Sequence, residues 1–164
     1  MIKTIVKDYK ELTTDELYRI MQLRIQGFIV DNQVCYQDME AYYDKNSWWI
    51  LNYAVVSGEI VGVNSLCRNK TLYGDDGTEY NYPCFRRQAW LREYKGGCST
   101  RDLLSGEKFL TNLYGKADMM LEITYEGGKQ PFLDFGCREV GTNIDAAGRK
   151  NWVFVYESTR SHQH

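Results

Sequence analysis

Apolar residues along this chain follow two different spacings, which alternate from one end to the other. Apolar runs of strand length, alternating or continuous, lie at residues 2–7, 48–56, 60–67, 84–93, 119–125, 140–144 and 151–157. Apolar residues at helical spacing lie at residues 14–28, 101–116 and 130–135. The resulting order, β, α, an irregular segment at 30–45, β, β, β, α, β, α, β, β, predicts a mixed α+β fold.

Local signals support several of these elements. Thr13 and Glu16 have the spacing of a capping box, which predicts the start of the first helix. The turn Ser57-Gly58-Glu59 predicts that the strands on either side form a hairpin. Residues 68–83 are polar and predict a surface excursion. Because 43% of the 164 residues are apolar, enough for one core, we expect a single domain over residues 1–164.

The charge and hydropathy of the chain argue against two classes of partner. A formal net charge of −2 offers no electrostatic footprint for nucleic acid, whose binding depends on neutralised phosphates. No run approaches the roughly 20 apolar residues that a membrane span needs, and the start MIKTIVKDYKEL lacks the apolar core of a signal peptide. We therefore expect a cytoplasmic protein with neither nucleic-acid nor membrane partners.

Histidine and cysteine are placed where they argue against common catalytic and metal sites. The two histidines, His162 and His164, lie in the last three residues, where chains usually fray, which disfavours Ser-His-Asp, Cys-His and histidine-ligated metal chemistry. Five cysteines are scattered without C-x-x-C spacing, as expected of reduced thiols rather than of disulfides or zinc ligands. We expect no bound metal, and catalysis would fall to carboxylates, tyrosines, cysteines, main-chain dipoles or water.

A pair of glycines, Gly96 and Gly97, stands between the predicted strand 84–93 and the predicted helix 101–116. The first N–H groups of a helix lack internal partners and face outward at the positive end of the helix dipole, which makes a cradle for phosphate. Charge and hydroxyl groups around this cradle would come from Lys95, Ser99, Thr100 and Arg101. Adjacent glycines before a helix are more often simple turn residues, and neither a Walker loop nor a G-x-G-x-x-G fingerprint is present.

Three segments resemble the GNAT superfamily of acetyltransferases. Residues 91–104, LREYKGGCSTRDLL, resemble the motif in which a strand ends, a loop wraps the coenzyme A pyrophosphate and a helix begins with a leucine pair. The opening LTTDELYRIMQLR, with Phe28, Gln33 and the acidic stretch after it, is similar to the ElaA-like branch. Residues 132–141, FLDFGCREVG, resemble the aromatic helix and glycine turn before the last hairpin of the family. Together these segments extend the resemblance over nearly the whole chain.

The resemblance implies an α/β/α sandwich with a central mixed, mainly antiparallel sheet that splays at a cofactor cleft. It also implies acetyl-CoA as the cofactor and acetyl transfer to an amine. The end of the strand would hold the pantetheine arm, and the loop would hold the pyrophosphate. The implied cofactor-binding residues are Ala89, Trp90, Leu91, Lys95, Gly96, Gly97, Cys98, Ser99, Thr100 and Arg101.

The chain departs from the family pattern at the loop and at the catalytic acid. The family loop reads R/Q-x-x-G-x-G/A, and here Lys95, Cys98 and Thr100 take the first, the middle-glycine and the last positions. The usual tyrosine acid falls at Phe132, which has no proton to donate. Three interpretations follow: Tyr125 replaces that acid, solvent protonates the leaving thiolate, whose free thiol has a pKa of about 8.5, or the domain binds without catalysing.

The base and the acceptor site have alternatives of their own. Glu122 is the candidate base if it faces the cleft, with Asp38 or Glu40 as alternatives if the irregular segment lines the amine site. Carboxylates beside aromatic rings in residues 36–44 suit a cationic acceptor, which would be a small amine, a polyamine or a protein lysine. The candidate substrate-binding residues are Arg24, Phe28, Tyr36, Asp38 and Glu40. Two structural interpretations compete with this one: Arg24 pairs with a carboxylate, and the acidic stretch is a solvated loop.

Three functions are compatible with these features. The first is an acetyl-CoA-dependent N-acetyltransferase whose catalytic residues are Tyr125 and Glu122. Arg24, Phe28 and the acidic residues up to Asp44 also resemble acyl-homoserine-lactone synthases, which acylate S-adenosylmethionine. The third is a GNAT-fold binding or inhibitory protein without turnover, which the departures from the family pattern favour. An exposed strand beside the cofactor cleft and the aromatic content are also compatible with a homodimer.

Overall fold

The computed structural model describes residues 1–158, so His162 and His164 lie outside the described residues. The strands are Ile2–Asp8 (β1), Ser47–Ala54 (β2), Ile60–Cys67 (β3), Leu72–Tyr73 (β4), Glu79–Tyr80 (β5), Cys84–Trp90 (β6), Met119–Ile123 (β7), Arg138–Ile144 (β8) and Lys150–Tyr156 (β9). The α-helices are Thr14–Arg24 (α1), Ala41–Asp44 (α2), Cys98–Tyr114 (α3) and Gln130–Phe135 (α4). A π-helical turn covers Ile25–Val30, and 3-10 turns cover Tyr9–Glu11, Arg92–Tyr94 and Glu126–Gly128.

Seven of these strands belong to one sheet, and the other two form a separate hairpin. The strand order in the sheet is β1-β2-β3-β6-β7-β9-β8, and the hairpin is β4-β5. The pairs β1–β2, β2–β3, β7–β9 and β8–β9 are antiparallel, whereas β6 and β7 are parallel. The predicted mixed α+β class with a mainly antiparallel sheet is therefore confirmed.

The chain divides into two compact units. Unit one comprises residues 1–67 and 86–98, and unit two comprises residues 68–85 and those from 99 onward. The first residues of β6 belong to unit two, where Cys84 and Phe85 pair with Met120 and Leu121 of β7. A single domain over the whole chain stays a prediction.

Unit one is built around β2 and β3, whose residues are buried along almost their whole length. Ile20 of α1 belongs to the same hydrophobic cluster as Trp49 and Val63 of these strands. Removal of apolar surface from water stabilises such a core by roughly 25 cal/mol per Å². α1 begins at the predicted capping box, in which the N–H of Glu16 donates to the Thr13 hydroxyl at 3.1 Å.

The first helix differs from its prediction at its carboxyl end. Apolar spacing predicts a helix up to Phe28, but α1 ends at Arg24 and the chain continues as the π-helical turn Ile25–Val30. Just beyond this turn, the N–H of Asp31 donates to the carbonyl of Gln26 at 2.9 Å, an i→i+5 bond of the kind often found at functional sites. Phe28 packs against the core of unit one although it lies in the π-helical turn. Its apolar spacing therefore could not show whether this part of the chain is α-helical or π-helical.

In unit two, the polar excursion at residues 68–83 is ordered by contacts with β8. It contains the hairpin β4–β5, and the N–H of Asp75 donates to the carbonyl of Val140 at 2.9 Å. The Asp75 carboxylate in turn accepts from the N–H of Thr142 at 3.0 Å. Gly141 makes this approach possible, because a Cβ there would lie 2.8 Å from the Asp75 nitrogen. The excursion is thus a fixed part of unit two.

Candidate functional site

The glycine loop lies between the end of β6 and the start of α3. β6 ends at Trp90, a 3-10 turn covers Arg92–Tyr94, and α3 begins at Cys98, three residues before the predicted start. The N–H of Cys98 donates to the carbonyl of Lys95 at 3.0 Å, which closes a turn just before the helix. Gly97 has a φ of +71°, a left-handed value that glycine adopts without steric cost.

The outer side of this loop is open. Apart from the adjoining residues of the chain, no atom of the described residues lies within 4 Å of the position that a Cβ would take at Gly96 or Gly97. Lys95, Thr100 and Arg101 are exposed. Helix geometry leaves the N–H groups of Gly97 and Thr100 without an i−4 acceptor inside α3. The loop therefore offers main-chain donors and positive charge on an accessible surface, as an anion requires.

Cys98 takes the place of a family glycine without filling the loop. Its half-buried side chain packs against the cluster formed by Ala54, Val61 and Trp90 in unit one. Because the side chain is directed into that cluster, the outer face of the loop keeps the main chain accessible. The residues present thus fit a diphosphate, although their role in cofactor binding stays a prediction.

The strand end before the loop presents main chain rather than side chains. Ala89 and Trp90 are 4% and 6% exposed. The Trp90 ring covers Gly62 of β3, where a Cβ would lie 2.1 Å from the ring. The N–H of Leu91 donates to the carbonyl of Val61 at 2.8 Å. β3 therefore fixes the position of the segment that the resemblance assigns to pantetheine binding.

A pocket of about 220 Å³ adjoins this strand end in unit one. Residues 90–93 line one side of it, and Gln26, Gly27 and Asp31 line the other. The side-chain amide of Gln26 donates to Asp31 at 2.6 Å. Its volume suits part of a small ligand rather than a whole drug-sized molecule.

Arg24 lies at the centre of a buried ion cluster in unit one. Its side chain is 0% exposed, and its Nε donates to Asp38 Oδ2 at 2.8 Å. Its Nη2 donates to the carbonyl oxygen of Asp38, also at 2.8 Å, and its Nη1 lies 3.1 Å from Asp44 Oδ2. Tyr36 donates to the other carboxylate oxygen of Asp38 at 3.4 Å. Arg24 thus pairs with carboxylates, one of the two roles that the sequence left open.

Two arginines of β6 complete the ion cluster. Arg86 lies 2.8 Å from Asp44 and 2.9 Å from Glu40. Arg87 donates to the same Glu40 oxygen at 2.7 Å, and its guanidinium carbon lies 5.8 Å from the centre of the Phe28 ring. All five candidate substrate-binding residues therefore lie in this cluster or against it, although their role towards a substrate stays a prediction.

The ion cluster is electrically balanced. Its arginines are Arg24, Arg86 and Arg87, and its carboxylates are Asp38, Glu40 and Asp44. Asp38 and Asp44 are each 4% exposed, so these parts of the acidic stretch are buried rather than solvated, whereas the Glu40 side chain is 43% exposed. Sequence reasoning missed Arg86 and Arg87. The sequence did contain one sign of them, because two adjacent arginines lie inside a predicted strand. Arginine side chains are rarely buried in a strand unless carboxylates pair with them.

Arg87 has an unusual main-chain conformation within β6. Its φ is +61°, which costs a residue with a side chain roughly 1–2 kcal/mol. Asp38 and Glu40 hold its guanidinium at 3.0 and 2.7 Å. Burial and the neighbouring Arg86 lower the pKa of Arg87, while Asp38 opposes the shift. Strain of this kind persists where contacts over-determine a residue, and it concentrates at functional sites.

The two candidate catalytic residues lie in unit two. Asn143 donates to the Glu122 carboxylate at 2.8 Å, and Lys70 Nζ lies 3.5 Å from it. Tyr125 is 74% exposed, and its ring lies over Gly127, where a Cβ would be 2.7 Å from the phenolic oxygen. Glu122 is therefore held by two partners, whereas Tyr125 faces solvent. Their catalytic roles stay predictions.

Phe132 occupies the position of the family's tyrosine acid and packs among apolar neighbours. Its ring centre lies 6.1 Å from that of Phe154.

Burial raises the pKa of the Cys137 thiol to about 12, which keeps it neutral near pH 7 and unsuited to nucleophilic attack. Within residues 1–158, no cluster of three or more His, Cys, Asp or Glu side chains has the arrangement of a metal site. The helices of this part are also too short or too polar to cross a bilayer.

The chain matches no protein-family model and no curated protein. Solved structures do match it. ElaA from Escherichia coli is 20% identical, with a TM-score of 0.70 over 96% of this chain and 100% of that one. An acyl-CoA N-acyltransferase from Pseudomonas aeruginosa is 15% identical, with a TM-score of 0.72 over 94% and 99%. A chimera of the spermidine N-acetyltransferase SpeG from Vibrio cholerae and hSSAT is 10% identical, with a TM-score of 0.64 over 97% and 99%.

At these identities the likeness establishes the fold, and the predicted resemblance is confirmed at that level. The match extends over nearly the full length of each chain at TM-scores of 0.70 and 0.72. This chain has the GNAT acyltransferase fold.

Proposed function

We propose that this protein is an N-acyltransferase that moves an acetyl group from acetyl-CoA to an amine. The observation that carries the proposal is the open loop before α3, with a left-handed Gly97 and the Cys98 side chain directed inward. Gly58 in the β2–β3 turn has the same φ of +71°, so the distinguishing features are the position of the loop at the start of α3 and the inward direction of the Cys98 side chain. The fold supports the same conclusion, because the solved structures that it resembles include acyltransferases.

The residues that would hold the coenzyme follow one another along the chain. Main-chain groups of Ala89 and Trp90 would bind the pantetheine arm as an added strand would, whereas the N–H and the carbonyl of Leu91 are bonded to Val61 and Tyr94. N–H groups of Gly96, Gly97 and Thr100 would bind the pyrophosphate, whereas that of Cys98 donates to Lys95. The exposed side chains of Lys95 and Arg101 add positive charge beside them. Bound acetyl-CoA supplies an acetyl group activated as a thioester.

The ion cluster bears on the class of acceptor. Because Arg24, Arg86 and Arg87 balance three carboxylates, the cluster offers little net negative charge to a polycation. Glu40 is the carboxylate with the most exposed side chain among them, and Phe28 and Tyr36 lie beside the cluster. We therefore propose an acceptor with one amino group, either a small primary amine or a protein lysine, in preference to a polyamine.

Proton transfer is assigned to unit two. Tyr125, at 74% exposure, would protonate the leaving thiolate together with solvent. Glu122 would act as base towards the ammonium form of the acceptor, and it would have to release the hydrogen bond that it accepts from Asn143 to do so.

A second candidate function is a GNAT-fold protein that binds acyl-CoA without turnover. It follows from Phe132, which packs on Phe154 and offers no proton donor at the position of the usual acid.

Thermal unfolding with and without acetyl-CoA tests cofactor binding. A ligand at 100 times its Kd stabilises the folded state by about 2.7 kcal/mol, which for a chain of this size raises the Tm by roughly 5–10 °C. We expect a rise that saturates with acetyl-CoA and is matched by free coenzyme A. An unchanged Tm at millimolar coenzyme would contradict both the enzyme and the acyl-CoA-binding alternative.

Release of free coenzyme A thiol then separates turnover from binding. We expect thiol release with small primary amines or a lysine peptide, less with spermidine, and none with S-adenosylmethionine. Tyr125→Phe should lower kcat, while Tyr114→Phe, a change at another exposed tyrosine, should leave kcat unchanged. A protein that binds acetyl-CoA but releases no thiol with any acceptor is the binding protein instead.

A further inference from the structure

Arg86 and Arg87 are consecutive residues of β6, yet their side chains meet the same carboxylate oxygen. Nη2 of Arg86 lies 2.9 Å from Glu40 Oε1, and Nη2 of Arg87 lies 2.7 Å from it. In a regular strand, successive side chains point to opposite faces of the sheet. The left-handed φ of +61° at Arg87 interrupts this alternation, so the strained residue brings a second arginine to Glu40.

The buried part of the ion cluster does not require Arg87. Its carboxylates, on Asp38 and Asp44, already pair with the guanidinium groups of Arg24 and Arg86. Arg87 and Glu40 form the outer edge of the cluster, where their side chains are 24% and 43% exposed. A left-handed residue with a side chain costs more than a partly exposed ion pair normally returns. Stability alone therefore does not explain why an arginine occupies this position.

Two atoms on the outer edge are available to a ligand. Among the described residues, Glu40 Oε2 accepts no hydrogen bond and Nη1 of Arg87 donates none. Nε of Arg87 is buried, whereas Nη1 is accessible to solvent. The outer edge thus presents one acceptor with a negative charge beside one donor with a positive charge.

A ligand with two opposite charges suits this edge better than a ligand with one. An ammonium alone on Glu40 would lie beside the Arg87 guanidinium, and a carboxylate alone on Arg87 would lie beside Glu40. A ligand with both groups close together satisfies both atoms through charge-assisted hydrogen bonds. The four buried charges behind the edge cancel, and Lys45, the other charged residue of this stretch, lies at the opposite end of α2.

Arg87 also lies where the reacting end of the coenzyme is expected. In the proposed site, the pyrophosphate lies at the glycine loop and the pantetheine arm extends back along β6 over Trp90 and Ala89. The acetyl thioester follows the pantetheine, so it would come next to residues 87–88. An amine held at the outer edge would therefore be close to the acetyl group.

We propose that Glu40 and Arg87 bind the acceptor as an α-amino acid with an apolar side chain, whose ammonium donates to Glu40 Oε2 and whose carboxylate accepts from Arg87 Nη1. Phe28, whose ring centre lies 5.8 Å from the Arg87 guanidinium carbon, would contact the apolar side chain. This inference rests on the proposed N-acyltransferase function and narrows its acceptor to one class.

The reaction on such an acceptor is balanced without a further reactant. The ammonium loses one proton to the base, and the neutral nitrogen attacks the carbonyl carbon of the thioester. A C–N bond forms, the C–S bond breaks, and its electron pair leaves with the sulfur. The nitrogen loses a second proton, and the thiolate takes up one. The products are the N-acetyl amino acid and free coenzyme A, with one proton released to solvent.

NMR titration of the full chain with three matched probes tests the site without requiring turnover. L-leucine carries both charges, 3-methylbutylamine is the same molecule without the carboxylate, and 4-methylpentanoate is the same molecule without the ammonium. We expect leucine to bind at least about tenfold more tightly than either of the others. Equal affinity for leucine and 3-methylbutylamine would overturn the inference.

A variant at Arg87 assigns the preference to its guanidinium. Asparagine adopts a left-handed φ more readily than most residues, so Arg87→Asn keeps the main chain of β6. We expect this variant to lower the affinity for leucine about tenfold without weakening 3-methylbutylamine. Arg138→Asn, a change at an exposed arginine of unit two, should alter neither affinity. Since the readout is a ratio between two ligands, a general loss of stability does not imitate it, and an unchanged ratio in Arg87→Asn would contradict the assignment.

Thiol release with the same probes separates this inference from the function on which it rests. Equal kcat/KM for leucine and 3-methylbutylamine would overturn the amino-acid site and leave the acyltransferase intact. Preferential binding of leucine without thiol release would support the site and contradict the acyltransferase.

Discussion

At Gly97 the main chain has a φ of +71°, and beyond the two adjoining residues the described structure has no atom within 4 Å of the position that a Cβ would take. Gly58, in the turn between β2 and β3, has the same φ of +71° and equally open surroundings. The two glycines therefore differ in only one respect that matters here. Gly97 lies in the loop to which we assign the diphosphate, and Gly58 lies in a plain hairpin turn.

This pairing makes a matched experiment. Gly97→Ala and Gly58→Ala should each destabilise the fold by roughly 1–2 kcal/mol, the cost of a left-handed residue with a side chain. Only Gly97→Ala should also weaken coenzyme A, by about tenfold or more, because its methyl group occupies the open face of the loop. Unfolding in urea and calorimetric titration measure the two effects. Equal coenzyme affinity in both variants would contradict the loop assignment.

Asp44 is the residue on which the ion cluster depends most. Asp44 is 4% exposed. Its carboxylate forms ion pairs with Arg24 and Arg86 and accepts a hydrogen bond from the N–H of Glu40 at 3.0 Å. Removal of one partner from a buried ion pair is strongly destabilising, since the remaining charge stays buried without compensation.

We therefore expect Asp44→Asn to lower the free energy of unfolding by roughly 3–5 kcal/mol. Asp134→Asn is the matched control, because Asp134 is exposed on α4 and accepts from Gln130 at 2.7 Å. That change should stay within about 0.5 kcal/mol. Denaturant unfolding of both variants provides the measurement, and similar small losses in the two would show that the cluster is not the stabilising element inferred here.

At the scale of elements, the start of α1 is joined to two strands through Glu16. Its carboxylate accepts from the N–H of Thr13 at 2.8 Å, from Lys7 of β1 at 3.0 Å and from Tyr53 of β2 at 2.9 Å. Partial burial by itself raises the pKa of Glu16, but these hydrogen bonds outweigh it and lower the pKa below its ordinary value of 4.5. The capping box is therefore also a link between α1 and the sheet.

The pH dependence of stability tests this link. A lowered pKa in the folded state gives stability that is complete above pH 4.5 and is lost as the pH falls below it. Glu16→Gln keeps an acceptor for the cap but removes the charge. We expect the variant to be less stable than the parent at pH 7 and the difference to shrink as the pH falls towards 3. A difference that is constant over this range would contradict the assignment.

The sequence predicted best those helices and strands whose bounds depend on residues a few positions apart. α4 has the predicted bounds, with Pro131 in its first turn, and β2–β3 form the predicted hairpin. The start of α3 was predicted too late because Cys98 packs on a cluster from β2, β3 and β6, and that contact cannot be read from the loop. The hairpin β4–β5 was missed because its order depends on Asp75 meeting β8.

At the scale of the whole molecule, each unit contains a tyrosine that donates to a carboxylate. Tyr53 donates to Glu16 in unit one at 2.9 Å, and Tyr82 donates to Glu157 in unit two at 2.8 Å. Burial, followed by the bond to the carboxylate, raises the pKa of each phenol to about 12. Both units therefore respond to alkaline pH through the same chemistry.

Alkaline titration tests both units at once. A raised pKa in the folded state gives stability that is complete below pH 10 and is lost as the pH rises from 10 to 12. Tyrosinate absorbance should show a late component near pH 12. Tyr53→Phe and Tyr82→Phe should each remove part of it, and the double variant should remove both parts. A late component that is unchanged in one of the single variants would contradict the assignment at that tyrosine.

The sequence by itself determined the class of fold, most strand and helix positions, the glycine loop and the residues that carry the GNAT resemblance. These features arise from spacing, caps and turns, which act between residues a few positions apart. Only the tertiary structure decided that the acidic stretch faces Arg86 and Arg87, more than 40 residues further along the chain. It also decided that Arg24 is fully buried between Asp38 and Asp44. Charge pairing and buried donors depend on which distant residues packing brings together, and no local pattern records that.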